Sequence, residues 1–257
     1  MELEQTVTVH FVGAGPGAAD LLTLRAAAML AAADVVLYPG TYLDDAVLAH
    51  CREGARLVDT QDLDLDAIVA HLVDAHRAGL DVVRLTSGDP SVYSAVAEQG
   101  RRLDAADVAW DVTPGVPAYA AAAAIVGREL TVPLVAQSVV LTRTRARSTA
   151  MPATESLAAF AATRATLVLH LAITRIRDLA AELVEEYGAT CPVVVVHRAS
   201  QPGELVLRGT LDDIADRVEA AGLRQAAVIL LGRALDPDGG GESYLYDAAR
   251  DRTLKRR

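Results

Sequence analysis

Short runs of Val and Leu alternate along the chain with stretches in which apolar residues return every three or four positions. The runs at 7–12, 34–38, 56–58, 80–85 and 108–112 predict strands, and 22–32, 43–51, 64–78, 91–103 and 117–126 predict helices. Stretch 64–78 shows the helical period well. Leu65, Ile68, Leu72 and Ala75 share one face, and Gly79 closes it. After Gly127 the character shifts at Leu130-Thr131-Val132-Pro133, a hinge, and a second alternation begins. Strands are expected at 137–142, 165–171, 192–197, 205–209 and 226–231, with helices at 155–163, 174–187 and 211–221. Asp236-Pro237-Asp238 and the following Gly239-Gly240-Gly241 end the folded body. Alternation of this kind implies an α/β fold: two lobes of similar size, each a mixed, mostly parallel sheet with flanking helices. The expected division is 1–130, 131–236 and a tail 237–257, with a ligand cleft between the lobes.

Composition narrows the class. At 257 residues, 52% hydrophobic and 23% charged, the chain is too apolar for disorder and large enough for a sizeable core. No run approaches the roughly 18 uninterrupted apolar residues of a membrane span. The acidic start, Met1-Glu2-Leu3-Glu4, leads straight into a strand, so no signal peptide and a cytoplasmic location are expected. A net charge of −10 argues against nucleic acid and anionic membrane as partners. Cys51 and Cys191 lie far apart without CxxC spacing, and the six histidines form no HExxH set. A reduced thiol pair and no protein metal site are therefore expected.

The candidate chemistry sits where strands end in turns. Val82-Val83-Arg84-Leu85 runs into Thr86-Ser87-Gly88-Asp89-Pro90, Asp111-Val112 into Thr113-Pro114-Gly115-Val116-Pro117, and Val9 to Val12 into Gly13-Ala14-Gly15-Pro16-Gly17. Glycine at a strand's C-terminal end exposes bare backbone at the sheet edge where open α/β sheets bind small ligands. The first turn formally fits GxGxxA, the dinucleotide-binding pattern. Against that reading, Pro16 removes an N–H where a pyrophosphate needs donors. The second strand also ends Leu37-Tyr38-Pro39, without the acid that takes a ribose hydroxyl. A plain tight turn and a turn bringing backbone close to another ligand both remain.

These segments resemble a known family. Val9 to Arg25, with GAGPG followed by Asp20-Leu21-Leu22-Thr23, looks like the N-terminal signature of the tetrapyrrole methylases, S-adenosylmethionine-dependent enzymes of sirohaem and corrin synthesis. Residues 82–93 resemble their second signature, and Pro114-Gly115-Val116 follows at the expected distance. The likeness runs from about 7 to 232. Within the superfamily, Glu129 to Pro133, Gln137 to Arg143, His197 to Pro202 and the tail Ser243 to Asp247 resemble the precorrin-4 C11-methyltransferases. Three places depart: Leu134 replaces a polar or small residue, Gln201 an aromatic one, and Tyr38-Pro39-Gly40-Thr41-Tyr42 the more familiar Tyr-Ala-Gly-Ser.

The resemblance implies a cofactor held largely by backbone, with contacts at Pro16, Ser87, Gly88, Asp89, Val92, Pro117, Ala118, Leu171 and Ala199. Asp89 suits either the methionyl ammonium or ribose hydroxyls, and also an N-cap for a helix beginning at Ser91. The substrate implied is a tetrapyrrole with many carboxylates. Arg143, Arg145, Arg147 and Arg198 offer guanidinium forks for them, or form a solvated loop. Tyr93 and Tyr119 are candidates for orienting the ring, while His170 and His197 stand at strand ends. No catalytic acid or base is named. The implied reaction is methyl transfer from S-adenosylmethionine to C11 of precorrin-4, metal-free or with cobalt, in cobalamin synthesis, by a homodimer. The alternatives are methylation of another corrin or uroporphyrinogen carbon, an NAD(P)-dependent oxidoreductase, and a non-catalytic nucleotide-binding protein.

Overall fold

The computed structural model describes residues 8–40, 43–144, 150–236, 240–244 and 249–250. Arg145, Arg147, Thr41, Tyr42, Tyr246 and the basic end Lys255-Arg256-Arg257 lie outside the described residues. The chain divides into two units, Met1–Ala121 with Arg198–Glu204, and Ala122–His197 with Leu205–Arg257. The division thus falls inside a helix, Ala118–Val126, upstream of the 130/131 boundary expected from the sequence. The segment 198–204 joins the first unit although its neighbours in the chain belong to the second.

The first unit holds β1 (Val9–Gly13), β2 (Val35–Tyr38), β3 (Arg56–Asp59), β4 (Val82–Thr86) and β5 (Trp110–Thr113). They form one sheet in the order β3-β2-β4-β1-β5, and every pairing is parallel. Parallel neighbours need long crossovers, supplied here by α1 (Leu24–Ala32), the short α2 (Asp45–Leu48), α3 (Leu65–Arg77) and α4 (Val96–Asp104). Val9, Phe11, Val35, Leu37 and Val82 bury one face against Ile68 and Leu72 of α3 and Leu103 of α4. Val12, Val36, Val83 and Leu85 bury the other against Ala26 and Leu30 of α1. Thr23 caps α1 through the Ala26 N–H (3.1 Å), and Asp64 caps α3 through Ala67 (2.8 Å). Adjacent β1 and β4 therefore send their following helices to opposite faces. That is the topology that opens a crevice at the carboxyl ends of the strands.

One expected helix starts late. The stretch predicted from Ser91 is a turn as far as Ala95, because Tyr93 (φ 54°) and Ala95 (φ 57°) are left-handed. The Ser94 hydroxyl donates to the Pro90 carbonyl inside that turn.

The second unit carries β6 (Val139–Arg143), β7 (Thr166–His170), β8 (Pro192–His197), β9 (Leu205–Thr210) and β10 (Ala227–Leu231). Their order is β6-β7-β10-β8-β9. Only β6–β7 is parallel; β7–β10, β10–β8 and β8–β9 are antiparallel. The sheet is mixed as expected, but the expectation that it is mostly parallel is corrected. A short connection joins β8 to β9, and such a connection permits only an antiparallel pair. α6 (Leu157–Ala161), α7 (Ile176–Tyr187) and α8 (Ile214–Ala220) cover one face, around Leu167, Leu169, Val195 and Ile229. On this unit Thr166 Oγ1 donates to Leu130 O at 2.7 Å, tying the segment after the helix Ala118–Val126, here α5, to β7.

Candidate functional site

The three strand-end turns of the first unit meet at their glycines. A Cβ on Gly13 would lie 2.6 Å from Gly115 Cα and 2.8 Å from Gly88 O, and one on Gly115 would lie 2.8 Å from Gly13 Cα. No side chain fits at either position, so the chain needs glycine there for space rather than for backbone freedom. Gly88 differs: its φ of 69° is left-handed, the conformation glycine adopts without strain. Backbone bonds lock the turns together. Ala14 N–H donates to Thr86 O (2.8 Å), Gly15 N–H to Gly88 O (3.1 Å) and Gly88 N–H to Gly15 O (2.7 Å).

Asp89 pins the third turn to the second. Its Oδ2 accepts the Gly115 N–H at 2.8 Å, and its Oδ1 accepts both the N–H (2.8 Å) and the hydroxyl of Ser91. Partial burial alone raises the carboxyl pKa. The Ser91 hydroxyl, the Gly115 N–H and the Ser91 N–H outweigh it, and hold the group below the ordinary aspartate value. The expected N-cap for a helix at Ser91 is therefore corrected to a clasp between two turns, since α4 begins beyond it with Ala95 as its N-cap.

A fourth segment closes over the GAGPG turn from far along the chain. Gln201 Nε2 donates to Pro16 O at 2.7 Å, and Ala18 N–H donates to Ser200 Oγ at 3.2 Å. The Gln201 stem lies on Gly17, where a Cβ would collide with Gln201 Cγ. Arg198 (φ 49°) and Ser200 (φ 61°) flank Ala199 in left-handed conformations. Strained backbone of this kind persists only where its surroundings hold it.

The structure thus gathers Pro16, Ser87, Gly88, Asp89, Val92, Tyr93, Pro117, Ala118, Arg198 and Ala199 on the first unit. Pro16, Gly88 and Ala199 are buried, while Ser87, Arg198 and Tyr93 (48% accessible) are exposed. Leu171 and Arg143 belong to the second unit. Leu171 is left-handed (φ 53°) and 64% accessible, just past β7. Arg143 stands in register with His170 on the β6–β7 pair. Burial pushes the His170 imidazole below its ordinary pKa. His197 Nδ1 lies 3.1 Å from Gln225 O.

Sequence reasoning passed over four residues. Gly13 and Gly115 were visible only as turn glycines. Arg84 and Thr86, inside β4, read as strand. Arg84 is 7% accessible, and its guanidinium donates to Leu85 O (3.0 Å) and Gln99 Oε1 (3.4 Å) without a carboxylate partner among the described residues. Burial lowers its pKa to about 10. Thr86 Oγ1, buried at the end of β4, has no partner among the described residues.

The family model for Tetrapyrrole (Corrin/Porphyrin) Methylases matches residues 8–215. The chain belongs to the tetrapyrrole methylases. It is 57% identical over 247 residues to the precorrin-4 C(11)-methyltransferase of Rhodococcus erythropolis, covering 96% of this chain and 99% of that one. Among solved structures, a cobalamin biosynthetic enzyme, cobalt precorrin-4 methyltransferase CbiF, is similar with a TM-score of 0.88 and 36% identity, covering 92% of this chain and 99% of that one. The uroporphyrin-III C-methyl transferase of Thermus thermophilus, complexed with S-adenosyl homocysteine, is similar with a TM-score of 0.74 and 30% identity, covering 89% of this chain and 98% of that one.

Side chains are excluded at Gly13 and Gly115, so the strand-end turns of this tetrapyrrole methylase pack main chain against main chain. The hydrogen bonding of these turns fits a nucleoside-type cofactor without a pyrophosphate better than a dinucleotide. A pyrophosphate-binding loop would need free N–H groups, but the amides of Ala14, Gly15 and Ala18 are all engaged within the protein. Pro16 has none.

Proposed function

We propose that this tetrapyrrole methylase transfers the methyl group of S-adenosylmethionine to C11 of precorrin-4 or its cobalt form. The observation that carries this reading is 57% identity, along nearly the full length of both chains, to the Rhodococcus enzyme of that name. S-adenosylmethionine supplies a methyl on a sulfonium sulfur, which leaves as a neutral thioether when the methyl passes to carbon. In-line displacement of this kind draws much of its rate from positioning. The protein's part is to hold and orient.

In this reading Pro16, Ser87, Gly88, Val92, Pro117, Ala118 and Ala199 contact the cofactor, joined by Leu171. Asp89 keeps the Gly88 and Gly115 turns in fixed relation. Tyr93 presents its exposed ring to the tetrapyrrole. Arg198 and Arg143 take substrate carboxylates, which a guanidinium receives in a planar two-point contact. No general base is assigned, because an enamine-like ring carbon is already nucleophilic. The enzyme acts in the cytoplasm as a homodimer.

Calorimetry tests the cofactor: S-adenosylhomocysteine binds and NADH does not, and the reverse result overturns the reading. Regiochemistry is tested by incubation with precorrin-4 and a labelled methyl donor, followed by NMR of the product. Label at any carbon other than C11 rejects the assignment. Light scattering on the purified protein tests the dimer, and a monomer mass rejects it.

A further inference from the structure

The GAGPG turn is held from two sides by different means. Its inner half, Gly13 to Gly15, is fixed to the β4 turn by main-chain bonds that any sequence with these glycines can make. Its outer half, Pro16 to Ala18, is fixed by side chains of the 198–204 segment: Gln201 on Pro16 O and Ser200 on the Ala18 N–H. The segment is itself braced. Ser200 N–H donates to Glu204 Oε2 (2.8 Å), Gln201 N–H to Arg198 O (2.9 Å) and Glu204 N–H to Gln201 O (3.0 Å). Gly203, at φ 82°, lets the turn close.

We propose that Gln201 is a positioning residue for the cofactor, acting through Pro16 and Ala199. One amide holds the Pro16 carbonyl, while its stem presses on Gly17. That same residue follows the strained Arg198-Ala199-Ser200 run, so one side chain ties the two backbone segments together. A free turn at 16–18 would have to be ordered when ligand binds, and the latch removes that cost beforehand. The Gln201 amide supplies a specific donor to the Pro16 main-chain carbonyl. The inference rests on the proposed cofactor reading, and its test keeps the two separable.

The test uses the full chain and S-adenosylhomocysteine, measured by calorimetry, with Gln201→Met as the main variant. Methionine preserves the stem over Gly17 and removes only the donor. Its affinity should fall about three- to tenfold, the share of one hydrogen bond. The KM for S-adenosylmethionine should rise by a similar factor while the KM for the tetrapyrrole stays within about twofold. A structural role alone would lower the amount of active protein and move neither constant. Ser200→Ala, which releases the Ala18 N–H but leaves Gln201 in place, should weaken binding in the same direction and serves if Gln201→Met does not fold. Unchanged affinity in the folded variants overturns the latch, as does an equal rise of both KM values. If the unmodified protein fails to bind S-adenosylhomocysteine, the cofactor reading itself is overturned.

Discussion

The Oδ2 atom of Asp89 accepts the backbone N–H of Gly115 at 2.8 Å across 26 residues of sequence. This bond spans two loops that follow β4 and β5, strands that are not neighbours in the sheet, since β1 lies between them. The turn glycines Gly13, Gly88 and Gly115 come within contact of one another at that point. The Asp89 carboxylate ties the Gly115 turn to the turn after β4, while the close contact itself is made by glycines.

Replacing Asp89 by Asn should destabilise the protein by about 1–3 kcal/mol, because the amide NH2 must face one of the N–H donors the carboxylate accepted. Chemical denaturation measures the loss, and calorimetry should show weaker S-adenosylhomocysteine binding alongside it. A variant as stable as the parent would mean that the clasp is dispensable.

The same clasp sets an acid sensitivity. The folded Asp89 carboxyl lies below the ordinary aspartate value, because its three hydrogen bonds outweigh partial burial. Its contribution is therefore complete above that ordinary value and is lost as pH falls through the folded one. Urea midpoints measured from pH 7 down to pH 3 should drop less steeply for Asp89→Asn than for the parent. Parallel curves would remove Asp89 from the acid response.

Gly115→Ala and Gly79→Ala should separate lack of space from backbone strain. A Cβ at 115 meets main chain of Gly88 and Gly13, whereas nothing lies within 4 Å of one at Gly79, whose φ is 72°. The first change should cost at least about 1–3 kcal/mol by overpacking and abolish cofactor binding. The second should cost about 1 kcal/mol and leave binding intact. Equal effects on binding would argue against the glycine cradle.

Gly17→Ala should be far less harmful in a Gln201→Ala background than alone. The added methyl collides with Gln201 Cγ, while the unusual φ of 152° at Gly17 penalises it in both backgrounds. A thermodynamic cycle on stability should return a coupling of about 0.5–3 kcal/mol. Strict additivity would show that the two residues do not touch.

Thr86→Val should leave stability unchanged or slightly raised, within about 1 kcal/mol, because it removes a buried hydroxyl that has no partner among the described residues. A clear loss of stability would mean that the hydroxyl is satisfied by something the protein holds in solution.

Much of this was written locally. The Val-rich run at 192–197 became β8 over the same residues, and Leu65, Ile68, Leu72 and Ala75 announced α3. Glycines mark the strand ends, and the order of GAGPG, SGDP and TPGV points to the family from the chain alone. These signals are short-range: hydrophobic period, turn chemistry and contiguous motif depend on neighbours in the chain.

What the tertiary structure alone decided is which distant groups share those local features. Direction in the second sheet depends on where each strand re-enters, so the antiparallel place of β10 between β7 and β8 left no mark on its own five residues. The late start of α4 follows from left-handed backbone at Tyr93 and Ala95 in the turn after Asp89, against a pattern that reads as helix from Ser91. Gln201 reads as one polar residue in a loop until the fold sets it against Pro16, which lies 185 positions earlier. Local preference is a property of the chain. Partnership belongs to the folded packing, where a carbonyl in one turn must find its donor in whatever segment the topology brings beside it.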